Sequence, residues 1–105
     1  MTKQVAVVGG GTMGTGIAYV SALSGHQVTV VEPSAERASA LERSLRGAAE
    51  GTVQRGKLDK SAADALLGRI RRVASVAEIA SQPDVAIETV SERVELKFEV
   101  LRQIE

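Results

Sequence analysis

The sequence predicts an α/β fold built on a parallel sheet, from three observations. Short apolar runs rich in valine, suited to strands buried on both faces, recur at Val5-Ala6-Val7-Val8, Gln27-Val28-Thr29-Val30-Val31 and Val85-Ala86-Ile87-Glu88. Between them, apolar residues return at helical spacing. The first run breaks into Gly9-Gly10-Gly11-Thr12-Met13-Gly14, with glycines at the GxGxxG spacing, immediately before a helix-compatible segment.

That spacing has a chemical reason. Gly9 lets the chain turn tightly off the strand, Gly11 lets the backbone approach a pyrophosphate, and Gly14 lets the new helix pack close to the sheet. The helix-compatible segment runs from Thr15 to Ser24, and a cofactor phosphate would sit on the free N–H groups and positive dipole end of that helix. Met13 is expected in the core at this turn, within reach of a cofactor. Met13, Ile17, Val20 and Leu23 mark the face of the first helix, Ala18 and Ala22 are its small packing residues, and Gly25 marks its end. The second strand follows and runs into Glu32, about twenty residues past the glycines, where a dinucleotide site needs an acid for the ribose hydroxyls.

Pro33 suits the first turn of a second helix, where Ala38, Leu41, Leu45 and Ala48 or Ala49 repeat with charged residues left outside. Gly47, Gly51 and Gly56 are expected to loosen its far end. Asp59 or Ser61 caps a third helix carrying Ala62, Leu66, Arg69 and Ile70, so that a helical hairpin stands before the third strand. A short strand around Ile70 to Ala74, a brief helix at Val76 to Ala80 and a turn at Gln82-Pro83-Asp84 lead into the fourth strand. From Glu92 onward, Val94, Phe98, Leu101 and Ile104 mark a further helical face. Arg69, Arg71 and Arg72 read as a solvated rim. The whole is a partial Rossmann-type parallel sheet of about four strands, in the order 3-2-1-4 with right-handed crossovers, the hairpin inserted between strands 2 and 3 and the outer edge of strand 4 unpaired.

At 105 residues the chain is one domain, and it buries roughly two-thirds of its unfolded surface. Lys plus Arg and Asp plus Glu are 13 each, so no net field draws it to nucleic acid or an anionic membrane. Tyr19 and Phe98 are the only aromatics, too few to make a stacking platform for single strands. Without cysteine there is neither a disulfide framework nor a thiolate metal site, and the single His26 excludes a histidine cluster. No leader or apolar span precedes the first strand, which makes a soluble cytoplasmic protein the expectation.

Several motifs together give the chain a family likeness. They are Val5 through Ala18, Ser24-Gly25-His26-Gln27-Val28-Thr29-Val30, the turn Gly56-Lys57-Leu58, Arg69-Ile70, and Ile87-Glu88-Thr89-Val90-Ser91-Glu92 running into Glu95-Leu96-Lys97. Over essentially its whole length the chain resembles the N-terminal NAD-binding region of the L-3-hydroxyacyl-CoA dehydrogenases, which include 3-hydroxybutyryl-CoA dehydrogenases. The resemblance implies NAD as cofactor, oxidation of a 3-hydroxyacyl-CoA to the 3-oxoacyl-CoA, a homodimer, and a place in fatty-acid or butanoate metabolism. By position it puts the pyrophosphate on Gly9, Gly11, Thr12, Met13 and Gly14, and the ribose on Glu32. Glu92 and Lys97 fall where the family contacts the cofactor; read from spacing alone, they are helix-terminal and solvent charges. Glu32 departs from the family's usual Asp, yet it still accepts from both ribose hydroxyls and repels the 2′-phosphate of NADP, with Arg37 the one nearby cation. Arg55 matches a position that meets CoA phosphates, whereas Ala48 replaces a polar contact.

In that family the catalytic His, Glu, Ser and Asn lie beyond the equivalent of residue 105. His26, behind a glycine turn at the start of a strand, is read as structural. The chain is therefore expected to be the cofactor-binding part of a larger enzyme, inactive alone. A stand-alone NAD(H)-binding module and an inert truncated product are the alternatives.

Overall fold

The computed structural model describes residues 2–9, 11–79, 82–90 and 93–97, with side chains described as far as residue 89. The elements run β1 (Gln4–Val8), α1 (Thr12–Leu23), β2 (Gln27–Val31), α2 (Ala35–Gln54), α3 (Lys60–Gly68), β3 (Ile70–Val73), a 3-10 turn (Val76–Glu78), β4 (Val85–Val90) and β5 (Arg93–Lys97). They form one sheet in the order β3-β2-β1-β4-β5. The first four strands are parallel and take the predicted 3-2-1-4 order, with Val7 level with Val30 of β2 and Ile87 of β4, and Val28 level with Ile70 of β3.

Alternation along the strands builds the core. Val5, Val7, Val28 and Val30 join Ala18 and Ala22 of α1, Leu41 and Leu45 of α2 and Leu66 of α3 in one buried cluster, so the three helices cover one face of the sheet. Each of the larger side chains there contributes about 1.5–3 kcal/mol by leaving water. On the opposite face Ile79 and Pro83 border a hollow of about 350 Å³ together with Gln4, Ala6 and Thr29. Asp84 sets the entry to β4: its carboxylate accepts from the Gln4 N–H, and its own N–H donates to the Gln4 carbonyl, both at 2.8 Å.

Helix ends follow their local chemistry. Gly25 at φ +96° turns the chain off α1, and Gly56 at φ +74° does the same after α2. Ser34 caps α2 by accepting from the Arg37 N–H at 3.2 Å. Pro33 therefore precedes the cap and does not occupy the first helical turn. Asp59, of the two candidates, caps α3, accepting from the Ala62 N–H at 2.8 Å. Gly47 and Gly51 do not loosen α2, which continues to Gln54 because Ala49 and Thr52 stay buried on its inner face.

Two further expectations are corrected. Residues 93–97 form a strand antiparallel to β4, with Val90 opposite Arg93 and Ala86 opposite Lys97, where a helix was expected. Arg93-Val94-Glu95-Leu96-Lys97 alternates strictly, and the outer edge of β4, expected to be bare, supplies the ladder. The remainder of that segment, 98–105, lies outside the described residues. The three arginines are not merely a solvated rim either, because each donates to a main-chain carbonyl. Arg69 Nε reaches Ala22 O near the end of α1 at 3.0 Å, Arg71 Nη2 reaches Glu78 O at 3.3 Å, and Arg72 holds Glu32 O through Nε at 2.9 Å and Nη2 at 2.7 Å. A carbonyl oxygen has two lone pairs, so Ala22 O takes the Arg69 guanidinium in addition to the Gly25 N–H at 3.0 Å.

Candidate functional site

At the carboxyl edge of the sheet, three glycines play three different parts. Gly9 has φ +104°; a Cβ there would overlap Thr89 Oγ1 and lie 2.9 Å from the Thr89 carbonyl oxygen. A Cβ on Gly14 would overlap the Gly9 carbonyl oxygen, so α1 leaves the turn in direct contact with it. Around Gly11, by contrast, a Cβ would meet nothing within 4 Å. Gly9 and Gly14 are required by the protein's own packing, and Gly11 leaves open space in front of the helix.

Gly11 is also the N-cap of α1 and supplies no side-chain cap, whereas Ser34 and Asp59 cap α2 and α3 with an oxygen. The first-turn N–H groups of Thr12 and Met13 thus stand beside that open space with the positive end of the helix dipole. A cavity of about 410 Å³ opens there, lined by Gly11, Thr12, Thr15 and Gly16 of α1 and by Arg37, Ala40, Leu41 and Ser44 of α2. A larger groove of about 620 Å³ lies between α2, α3 and β3, but it contains no residue of the glycine turn. Met13 is 38% exposed, which places it at the surface of the turn and corrects the expectation that it is core.

Glu32 follows directly on β2 and is only 2% exposed. Its Oε2 accepts from the Ser34 N–H at 2.9 Å, its N–H donates to Val73 O at 2.9 Å, and Arg72 holds its carbonyl. The carboxylate is therefore at the right strand end but folded onto the entry of α2. Arg55 lies at the other end of α2, exposed, with Nη2 3.5 Å from Thr52 Oγ1; that hydroxyl bonds Tyr19 Oη at 2.7 Å and ties α1 to α2. Glu92 lies outside the described residues, as does the Lys97 side chain, whose backbone stands opposite Ala86. His26 is at the amino edge of the sheet, away from the glycine turn, and its Nδ1 accepts from the Lys3 N–H at 3.1 Å.

Three residues take parts beyond those read from the sequence, where Arg37 is the cation nearest Glu32, Arg72 a rim charge and Thr89 one member of the Ile87 to Glu92 motif. Arg37 faces the cavity, Arg72 clamps the Glu32 main chain, and Thr89 Oγ1 donates to Val8 O at 3.0 Å and Gly9 O at 3.4 Å. The sequence signal for Thr89 is its place in the Ile87 to Glu92 motif, and the structure sets it one residue beyond Glu88, which pairs with Val8 at the end of β1. Among the described residues no group of three or more His, Cys, Asp or Glu is placed to hold a metal.

A strand, a tight glycine turn, an uncapped helix N-terminus and an acid at the end of the next parallel strand define a dinucleotide-binding domain of the Rossmann class. Residues 4–105 match the family model described as 3-hydroxyacyl-CoA dehydrogenase, NAD binding domain. The chain belongs to that family, whose cofactor is NAD. It is 38% identical over 102 residues to the 3-hydroxyadipyl-CoA dehydrogenase of Escherichia coli strain K12, covering 97% of this chain and 21% of that one. It is 33% identical over 103 residues to a 3-hydroxybutyryl-CoA dehydrogenase of Mycobacterium tuberculosis, covering 98% of this chain and 36% of that one. A crystal structure of 3-hydroxybutyryl-CoA dehydrogenase from Escherichia coli K12 superposes with a TM-score of 0.78 at 38% identity, over 87% of this chain and 19% of that one. The chain thus spans about a fifth to a third of the length of these relatives.

Proposed function

We propose that this chain is the cofactor-binding part of an NAD-dependent dehydrogenase that oxidises 3-hydroxyacyl-CoA to 3-oxoacyl-CoA. The observation that carries this reading is the contrast among the glycines: packing closes Gly9 and Gly14, while Gly11 keeps clear the space that a pyrophosphate needs. The residues present fit the group. When bound, NAD supplies the acceptor for the substrate's hydride. The protein's share is binding and orientation. Gly11, Thr12 and Met13 present main-chain donors to the diphosphate, and Arg37 adds a cation on the α2 side of the same cavity. Glu32 takes the ribose hydroxyls by swinging its carboxylate from the Ser34 N–H, and its charge disfavours a 2′-phosphate. Glu92 and Lys97 complete the cofactor contacts by family position, and Arg55 meets CoA phosphates from the end of α2. Acyl-CoA as substrate and assembly as a homodimer belong to the same proposal, supported by the relatives' names and the family likeness.

For these 105 residues taken alone, a binding module without turnover is the reading favoured by His26, the sole histidine, which is bound at the opposite edge of the sheet. Titration with NADH, followed by nicotinamide fluorescence, tests the cofactor site. Binding should saturate, and Glu32→Ala should weaken it by about tenfold or more, as expected for losing hydrogen bonds to a charged acceptor. The same substitution should narrow the preference for NADH over NADPH. Absence of binding at millimolar NADH, or equal affinity in the variant, counts against the assignment.

A further inference from the structure

Gly9 is held from three sides. Its N–H donates to Val31 O of β2 at 2.9 Å, its carbonyl oxygen packs against Gly14 of α1, and Thr89 Oγ1 of β4 stands 3.4 Å from the same oxygen. The Thr89 hydroxyl lies 3.0 Å from Val8 O, so its one hydrogen is shared between the last carbonyl of β1 and the first carbonyl of the turn. Val8 is paired with Glu88 in the β1–β4 ladder, and Thr89 continues that ladder by a side chain where the backbones part. The fit is close enough that Gly9 can carry no Cβ against it.

We propose that Thr89 is a positioning residue for the cofactor's diphosphate, acting through Gly9. A glycine at φ +104° has little intrinsic preference for that conformation, so its carbonyl direction is set by its tethers. Two residues further on, Gly11 begins the row of N–H groups that faces the cavity, and a rotation at Gly9 re-aims all of them. Valine has the shape of threonine without the hydroxyl. It would fill the same space while leaving Val8 O and Gly9 O without their side-chain donor. Serine keeps the donor and loses only a methyl group.

This inference rests on the cofactor reading above, and one set of titrations separates the two. NADH is titrated into the parent chain, Thr89→Val and Thr89→Ser, with affinity expressed per folded molecule from the far-ultraviolet circular dichroism of each sample. Thr89→Val should raise the NADH dissociation constant about tenfold, the scale of one lost hydrogen bond amplified by misalignment of its neighbours, and Thr89→Ser should stay within about twofold of the parent. If Thr89→Val does not fold, Thr89→Ser decides: parent-like affinity supports the role and a tenfold loss overturns it. Parent-like affinity in the folded valine variant overturns the positioning role and leaves the cofactor reading intact, as does a serine variant as weak as the valine one. A parent chain that does not bind NADH overturns both.

Discussion

Gly11 and Gly14 are separated by a single helical turn and answer to different demands. At Gly14 a Cβ would strike the Gly9 carbonyl, which is main chain and cannot step aside; at Gly11 a side chain meets only open space. Gly11→Val should therefore leave the thermal transition close to that of the parent while abolishing NADH binding, because the branched side chain occupies the diphosphate's path. Gly14→Ala should do the reverse at the level of the fold, costing about 1–3 kcal/mol of overpacking. Thermal melts paired with NADH titrations check both, and a Gly11→Val chain that binds like the parent would remove the phosphate cradle from the account. Glu32 shows the same dependence on neighbours. Its identity suits a ribose, but its position in space is set by the Ser34 amide and the Arg72 guanidinium.

Among the described α-helices, α3 is the shortest, and its cap carries weight for that reason. Nine residues are too few to sustain a helix on propensity, and α3 is held by Ala63 and Leu66 on its inner face and by Asp59 at its start. Asp59→Ala removes the acceptor for the Ala62 N–H and should destabilise the protein by about 1 kcal/mol, read as a lower urea midpoint at unchanged slope. The apolar repeat announces α2, whose Leu41, Leu45 and Ala49 are buried, because a helix that buries one face writes that face into its sequence. In α1 the expected face is corrected: Val20 and Leu23 are exposed and the small residues Gly14, Ala18 and Ala22 are buried, while α3 ends at Gly68 with Ala63 and Leu66 inward, so Arg69 and Ile70 lie beyond it. β5 was hidden by the same rule. Val94, Phe98 and Leu101 satisfy a helical template, while the alternation of Arg93 to Lys97 satisfies a strand, and only the open edge of β4 decides between them.

For the molecule as a whole, the cradle and the sole histidine lie on opposite edges of one sheet. Gly9, Gly11 and Glu32 follow the carboxyl ends of β1 and β2, whereas His26 precedes β2 and is engaged by the Lys3 amide. A hydride-transferring site needs a base within hydrogen-bond reach of the substrate hydroxyl, and this arrangement puts no imidazole there. The 105 residues should therefore bind NADH yet show no oxidation of 3-hydroxybutyryl-CoA when NADH absorbance is followed. Measurable turnover would mean that a carboxylate or lysine of this chain serves as the base. Among the described residues no helix is long and apolar enough to cross a membrane.

The sequence by itself determined the helical hairpin, the glycine turn and the acid after β2, because each depends on near neighbours or on a period that one chain segment can display, and the 3-2-1-4 order of the parallel strands followed from the handedness and topology rules of the βαβ pattern. Tertiary structure alone decided which glycine is a packing requirement and which is an opening, since Gly9 is closed by Thr89, 80 residues away. It likewise turned Arg69, Arg71 and Arg72 into donors for distant or local carbonyls and sent residues 93–97 to the edge of β4. Those outcomes depend on which main-chain oxygen or sheet edge the fold brings within reach, and a residue's own type and spacing carry no record of that.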